Sequence, residues 1–287
     1  MTYLQAIIMG LLQGVSELFP VSSLGHSVLL PALLGWKNLV AAQSASESFF
    51  LAFLVGLHCA TALALLVFYR RTWLEIIKGF FRTVSTRTIK TPNERLAWLL
   101  IIATIPAGLT GVLFEHVFRV IFAKPLYAAI FLTINGFILF AGEYFRRRSV
   151  AQAKAGRAPK RRLESLNFTE AGVIGVAQIA ALFAGISRSG ITMVAGLVRG
   201  LDHEDAANFS FLLATPVIFA AGVYKLHDFL GPNGNGVRPQ ILAGSLAAFI
   251  AAYLSVRFLT KYFQTKTLTP FAWYSLIVGL LMILRFA

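Results

Sequence analysis

Long apolar runs alternate along this chain with basic loops and two short polar breaks. Six stretches each hold about 20 mostly apolar residues, the length a transmembrane helix needs. They fall at about 47–69, 95–114, 125–145, 206–226, 241–259 and 270–284. Two more segments, 3–35 and 168–200, are apolar over about 33 residues but interrupted near the middle, by Pro20-Val21-Ser22-Ser23 and by Gly185-Ile186-Ser187-Arg188. One helix of that length would be near 50 Å at about 1.5 Å per residue, too long for a single crossing. The pattern predicts two half-length helices meeting at a turn in each case, a re-entrant hairpin whose irregular backbone is buried in protein.

Composition agrees with the pattern. The 287 residues are 57% hydrophobic and 13% charged, against about 25% charged in a soluble domain. The net charge of +14 is concentrated: seven of the 26 Lys and Arg lie between Arg70 and Arg95, and eight between Arg146 and Arg162, with Arg257, Lys261 and Lys266 forming a third group. Basic loops beside apolar spans mark the cytoplasmic side, and no aromatic-studded basic face points to nucleic acid. The lone Cys59 cannot form an intramolecular disulfide. Residues 1–36 contain no Lys or Arg, so the basic region of a cleavable signal peptide is missing.

With the basic loops inside, each half of the chain has three full spans, and the two halves run in opposite senses. One interrupted segment precedes each set. Gly10, Gln13, Ser22 and Gly25 align without gaps with Gly175, Gln178, Ser187 and Gly190. The expected fold is an all-α polytopic membrane protein, a single domain over 1–287. It comprises two inverted-topology repeats, about 1–145 and 166–287, each a re-entrant helical hairpin plus three transmembrane helices, joined by a basic cytoplasmic linker at 146–165. Interrupted segments at matching positions of inverted halves point to a midplane site where the two tips meet.

Those tips hold the costly groups. A carboxylate, an imidazole and a guanidinium at membrane depth are functional-site candidates by default. Gln13 and Glu17, four residues apart, share one helix face. Ser22 and Ser23 follow the Pro20 break at the start of the next helix, where backbone N–H groups favour an anion. His26 is one turn beyond Ser23. A hydroxyl beside an imidazole with a carboxylate nearby follows nucleophile–base–orienter logic, although a serine helix cap with a satisfied histidine also fits that spacing. Ser187, Arg188, Ser189, Gly190 and Thr192 open a second helix with hydroxyls and a guanidinium, the makings of a phosphate cradle. Arg188 has two readings, a phosphate clamp or a structural salt bridge with Glu17. Thr192 is a site hydroxyl or a packing residue. His58, beside Thr61, and Asn208, beside Ser210, are supporting candidates or helix-packing polar groups. His203, Glu204 and Asp205 read as an exposed helix start, and His116 and His227 as solvated.

Gly14-x-x-Glu17-x-x-Pro20-Val21-Ser22-Ser23-x-Gly25-His26 and Gly185-x-Ser187-Arg188-Ser189-Gly190-x-Thr192 resemble the two signatures of the bacterial undecaprenyl-diphosphate phosphatases, or bacitracin-resistance proteins. The likeness extends over the whole chain. Gln13 stands where that family often has a second Glu, Leu24 replaces a usual Thr, and Ala184 replaces a usual Pro. The resemblance implies hydrolysis of undecaprenyl diphosphate to the monophosphate and phosphate, recycling the lipid carrier for envelope polymers and conferring bacitracin resistance. It also implies a plasma-membrane location, an active site opening to the outer face, and dependence on a divalent cation, Mg or Ca. In that scheme Ser23 attacks the terminal phosphorus, with His26 as the alternative nucleophile. His26 accepts the Ser23 proton, Glu17 orients His26 or holds the metal, and Arg188 with Ser22, Ser187, Ser189, Gly190 and Thr192 binds phosphate. The expected partners are a polyprenyl diphosphate, membrane lipids and a second copy in a homodimer, and not nucleic acid. A lipid or anion transporter built on inverted repeats is the rival reading; a catalytically dead lipid-binding relative is a third.

Overall fold

A computed structural model describes residues 1–44, 49–114, 117, 124–154, 161–224 and 236–287. Among them the secondary structure is helical, with one isolated parallel bridge between Arg161 and Leu201. The helices are α1 (Tyr3–Ser16), α2 (Ser23–Leu33), α3 (Lys37–Ser44), α4 (Phe49–Phe68), α5 (Arg70–Thr86), α6 (Pro92–Leu113), α7 (Pro125–Lys154), α8 (Phe168–Gln178), α9 (Arg188–Val198), α10 (His203–Tyr224), α11 (Arg238–Tyr262) and α12 (Thr269–Phe286). Of these, α4, α6, α7, α10, α11 and α12 are long and apolar enough to cross a membrane. They coincide with the six stretches read from the apolar pattern, and the protein is a multi-pass membrane protein. The predicted span limits at residues 47 and 226, part of the 146–165 linker, and His116 and His227 lie outside the described residues.

Both interrupted segments are helix–turn–helix units. Helix α1 starts at a Thr2/Gln5 capping box and gives way to turns over residues 17–21, and Ser22 caps α2. Helix α8 starts at an Asn167/Glu170 capping box, continues into a 3₁₀ turn at Ile179–Leu182, and is followed by α9, capped by Ser187. Three of the four aligned pairs take matching local roles. The hydroxyl of Ser22 accepts from the Gly25 amide at 3.1 Å, and that of Ser187 from the Gly190 amide at 3.1 Å. Gly10 lies against Gly244 of α11, as Gly175 lies against Ala103 of α6.

Small residues set how closely the helices pack. Lipid tails are as apolar as leucine, so association depends on van der Waals fit rather than on expulsion of water. A Cβ on Gly10 would lie only 2.1 Å from the Gly244 carbonyl oxygen; one on Gly14 would lie 2.4 Å from that of Ala248. Helix α12 approaches α7 in the same way, with Gly279 against Thr133 and Gly136 against Ala272. Leucines such as Leu4, Leu109, Leu246 and Leu281 face outward, as lipid requires. Gly10→Val should lower the thermal unfolding midpoint in detergent by the equivalent of about 1–3 kcal/mol of overpacking. Gly108→Val, at a position with no atom within 4 Å of the added Cβ, should not lower it comparably.

Candidate active site

The turn after α1 and the start of α9 meet inside the protein. Ser22, in a left-handed conformation with φ 68°, turns its hydroxyl oxygen to two amides, Gly25 of its own helix and Gly185 of the other turn, both at 3.1 Å. Gly185 has φ 117°, and a Cβ there would sit 2.4 Å from the Ala128 carbonyl oxygen, so both backbone conformation and space call for glycine. Asn135 on α7 ties the two turns together. Its Nδ2 donates to the Pro20 carbonyl at 2.9 Å, and its Oδ1 accepts the Ser187 amide at 2.9 Å. Sequence reasoning missed Asn135; a buried amide in the middle of an apolar span was the signal available.

Glu17 is the centre of the cluster. Its Oε2 accepts the Ser23 hydroxyl at 2.5 Å and the Gln13 amide at 3.0 Å, while its Oε1 accepts the Arg188 guanidinium at 3.0 Å. His58 Nε2 stands 3.6 Å from the same carboxylate. Four candidates from three separate segments therefore converge on one acid. The Arg188 side chain is only 12% exposed. It also donates to the Ser210 carbonyl at 3.4 Å, and its buried Nε has no hydrogen-bond partner. Removing either member of a buried pair strands the other charge, and the unfilled Nε offers a further donor to an incoming anion.

His26 is placed differently from the sequence reading. Its Nδ1 lies 2.7 Å from the Ser22 carbonyl and its Nε2 2.8 Å from the Tyr274 hydroxyl, with the two rings stacked at 5.7 Å. A carbonyl only accepts, so Nδ1 carries the proton; in the neutral tautomer that leaves Nε2 to accept from the Tyr274 hydroxyl. Glu17 therefore does not orient His26. No hydrogen bond joins His26 to Ser23 among the described residues, because the imidazole is turned toward α12. Tyr274 was not predicted: it is 248 residues away in sequence.

Most of the other predicted hydroxyls brace the frame. Ser189 donates to the Phe19 carbonyl at 3.2 Å and lies 3.0 Å from the Ser187 hydroxyl, which caps α9. Thr192 bonds to the Arg188 carbonyl at 2.8 Å and to the Ser210 hydroxyl at 2.7 Å. Asn208 Oδ1 accepts the Tyr69 hydroxyl at 2.8 Å, and no hydrogen bond joins Asn208 to this cluster among the described residues. His203, expected at an exposed helix start, instead pairs with buried Glu143 at 2.7 Å. The hydroxyl of Ser187 and its carbonyl take the Gly190 and Ile191 amides. Helix geometry leaves the two preceding N–H groups, those of Arg188 and Ser189, without an intrahelical acceptor.

An uncompensated buried charge costs about 3–5 kcal/mol, so Arg188→Ala should lower the thermal unfolding midpoint in detergent markedly. Glu17→Gln combined with Arg188→Met should recover part of that loss, because neither charge is then stranded.

Comparison with known proteins identifies the family. The family model described as bacitracin resistance protein BacA matches residues 6–281. An undecaprenyl-diphosphatase of Mycolicibacterium paratuberculosis is 54% identical, over 97% of this chain and 95% of its own. Undecaprenyl-diphosphatase 2 of Frankia alni is 53% identical over all of this chain and 98% of its own. The protein of that name from Chromobacterium violaceum is 40% identical over 99% of each chain. This chain belongs to the bacitracin resistance protein BacA family.

Proposed function

We propose that this protein hydrolyses undecaprenyl diphosphate to undecaprenyl phosphate and inorganic phosphate. The observation that carries the reading is a serine hydroxyl 2.5 Å from a carboxylate that is itself held by a guanidinium with an unfilled donor. Binding alone needs no hydroxyl poised to lose its proton. The Ser23 oxygen forms a bond to the terminal phosphorus, and its proton passes to Glu17 rather than to His26. The bond between that phosphorus and the bridging oxygen breaks, releasing undecaprenyl phosphate. Water then cleaves the phosphoserine to give inorganic phosphate and restore the hydroxyl. Arg188 and the first two amides of α9 neutralise the transferring oxygens, since catalysis of this kind is mostly positioning and charge stabilisation. His58 stands where it can exchange a proton with Glu17. Ser22, Ser187, Ser189, Gly190 and Thr192 shape the phosphate cradle through the backbone they hold.

The implied divalent cation fits the donor chemistry. No group of three or more His, Cys, Asp or Glu suited to a metal occurs among the described residues. Glu17 and the buried Gln13 Oε1, which lacks a hydrogen-bond partner, are hard oxygen donors of the kind Mg and Ca take, alongside substrate phosphates and water. A cation held there would neutralise charge on the diphosphate.

The matched caps and glycine contacts of the two helix–turn–helix units support inverted repeats with tips inside the membrane. Helix α1 packs on α11 and α8 on α6, the exchange of partners that such a repeat produces. The rings of Phe19, Phe258 and Phe271, adjoining the first turn with centroids 5.5–6.0 Å apart, suit a polyprenyl tail. The reading places the protein in the bacterial plasma membrane with its site opening to the outer face, acting in lipid-carrier recycling and bacitracin resistance as a homodimer.

Purified protein in detergent should release phosphate from C55 diphosphate, which a transporter or a dead relative would not. Ser23→Ala should cut the rate by roughly 10³-fold or more, and Arg188→Lys by roughly 10²-fold or more, since a point charge cannot replace the fork. A radiolabelled phosphoenzyme should carry its label on Ser23; label on His26, or near-normal turnover by Ser23→Ala, would sink the serine assignment. Chelator should abolish release, and added Mg or Ca should restore it.

A further inference from the structure

A cavity of about 140 Å³ lies away from the cluster just described, lined by Arg146, Arg161, Arg162, Gly200 and Asp202. Its walls come from the end of the α7 span, the segment leading to α8, and the loop between α9 and α10. Helix α9, about 16 Å long for its 11 residues at about 1.5 Å each, separates it from Arg188.

The cavity is built rather than incidental. Arg161 is fixed by both oxygens of Glu170, at 2.5 and 2.8 Å, and by the Arg199 carbonyl at 3.0 Å. Its backbone pairs with Leu201. Gly200, with φ 91°, leaves the space along the Arg161 side chain, where a Cβ would come within 3.3 Å of Cδ. Asp202, the single acid of the lining, accepts the Asp205 amide at 2.9 Å and so caps α10. Glu170 faces Arg161 and Arg199. Asp205, outside the lining, also faces Arg162, so the surplus rests on Arg146, whose Nε is buried with no hydrogen-bond partner. The sequence from Arg146 to Arg162 contains no acid. A half-enclosed concavity with surplus guanidinium and an unfilled buried donor lacks one thing, a compact anion able to take several N–H groups at once.

We propose that this cavity binds a phosphate group, supplied either by the headgroup of an anionic phospholipid or by free inorganic phosphate. Guanidinium forks match phosphate oxygens in geometry as well as charge, and basic pockets beside transmembrane helices take phospholipid headgroups. An occupant would fix the C-terminal end of α9, the helix whose other end carries Arg188.

The test uses the full chain, stripped of lipid in an uncharged detergent. Retention of phosphatidylglycerol against phosphatidylcholine is counted by native mass spectrometry, and the unfolding midpoint is measured with and without inorganic phosphate at matched ionic strength. Arg146→Gln and Arg162→Gln should each weaken binding roughly tenfold, the cost of one charge-assisted contact. Arg148→Gln removes the same charge from an exposed neighbour outside the lining and should bind as the wild type does. Selective retention of phosphatidylglycerol that is lost in the first two variants identifies the lipid source. A midpoint raised by phosphate in the wild type but not in those variants, without lipid retention, identifies free phosphate. The proposal is overturned if the wild type binds neither, or if all three variants behave alike in both measurements.

Discussion

The ion pair between Glu17 and Arg188 is the constraint on which the centre of this protein depends. Each charge is prohibitive alone in an apolar interior, and each lies on a different helix–turn–helix unit 171 residues apart. Together they hold the two turns in register, and the carboxylate keeps enough acceptor capacity for the Ser23 hydroxyl and the Gln13 amide. A buried pair of this kind seldom adds much net stability. What it supplies here is position, because the guanidinium cannot satisfy Glu17 without also standing beside Ser23.

That position depends on close backbone packing. Gly10 and Gly14 let α1 lie directly on α11, and Gly185 lets the second turn pass under α7. Asn135 then bridges both turns from the same helix. Larger residues at these contacts would separate the helices and pull apart groups that must stay within hydrogen-bond distance. The same packing puts Phe19, whose carbonyl accepts from Ser189, against the aromatic rings of α11 and α12. Polar site and aromatic cluster therefore share one turn.

Much of this was legible in the chain itself. The six apolar runs became six helices of spanning length, and the breaks at Pro20 and Gly185 became turns, because length and composition alone decide those features. Ser22 and Ser187 emerged as caps because a serine at a helix start satisfies an amide that nothing else can reach. The pairing of Arg188 with Glu17 was foreseeable on energetic grounds, since no other carboxylate lies in either interrupted segment near its break. The role of His26 was not foreseeable. Spacing on a helix puts it within a turn of Ser23, but the direction of its ring is set by Tyr274, on the last helix. His203 was misread for the same reason, its partner Glu143 lying on a separate span.

The sequence by itself determined that this is a helical membrane protein with two polar breaks carrying one acid, one guanidinium and several hydroxyls, because hydrophobic length and the cost of burying charge are local properties. Only the tertiary structure decided which group touches which. Contacts between distant segments depend on where close-packed helices place side chains, and no periodicity records that. Glu17 beside Ser23 and Arg188, His26 turned to Tyr274, and Asn135 bridging the two turns all follow from that packing.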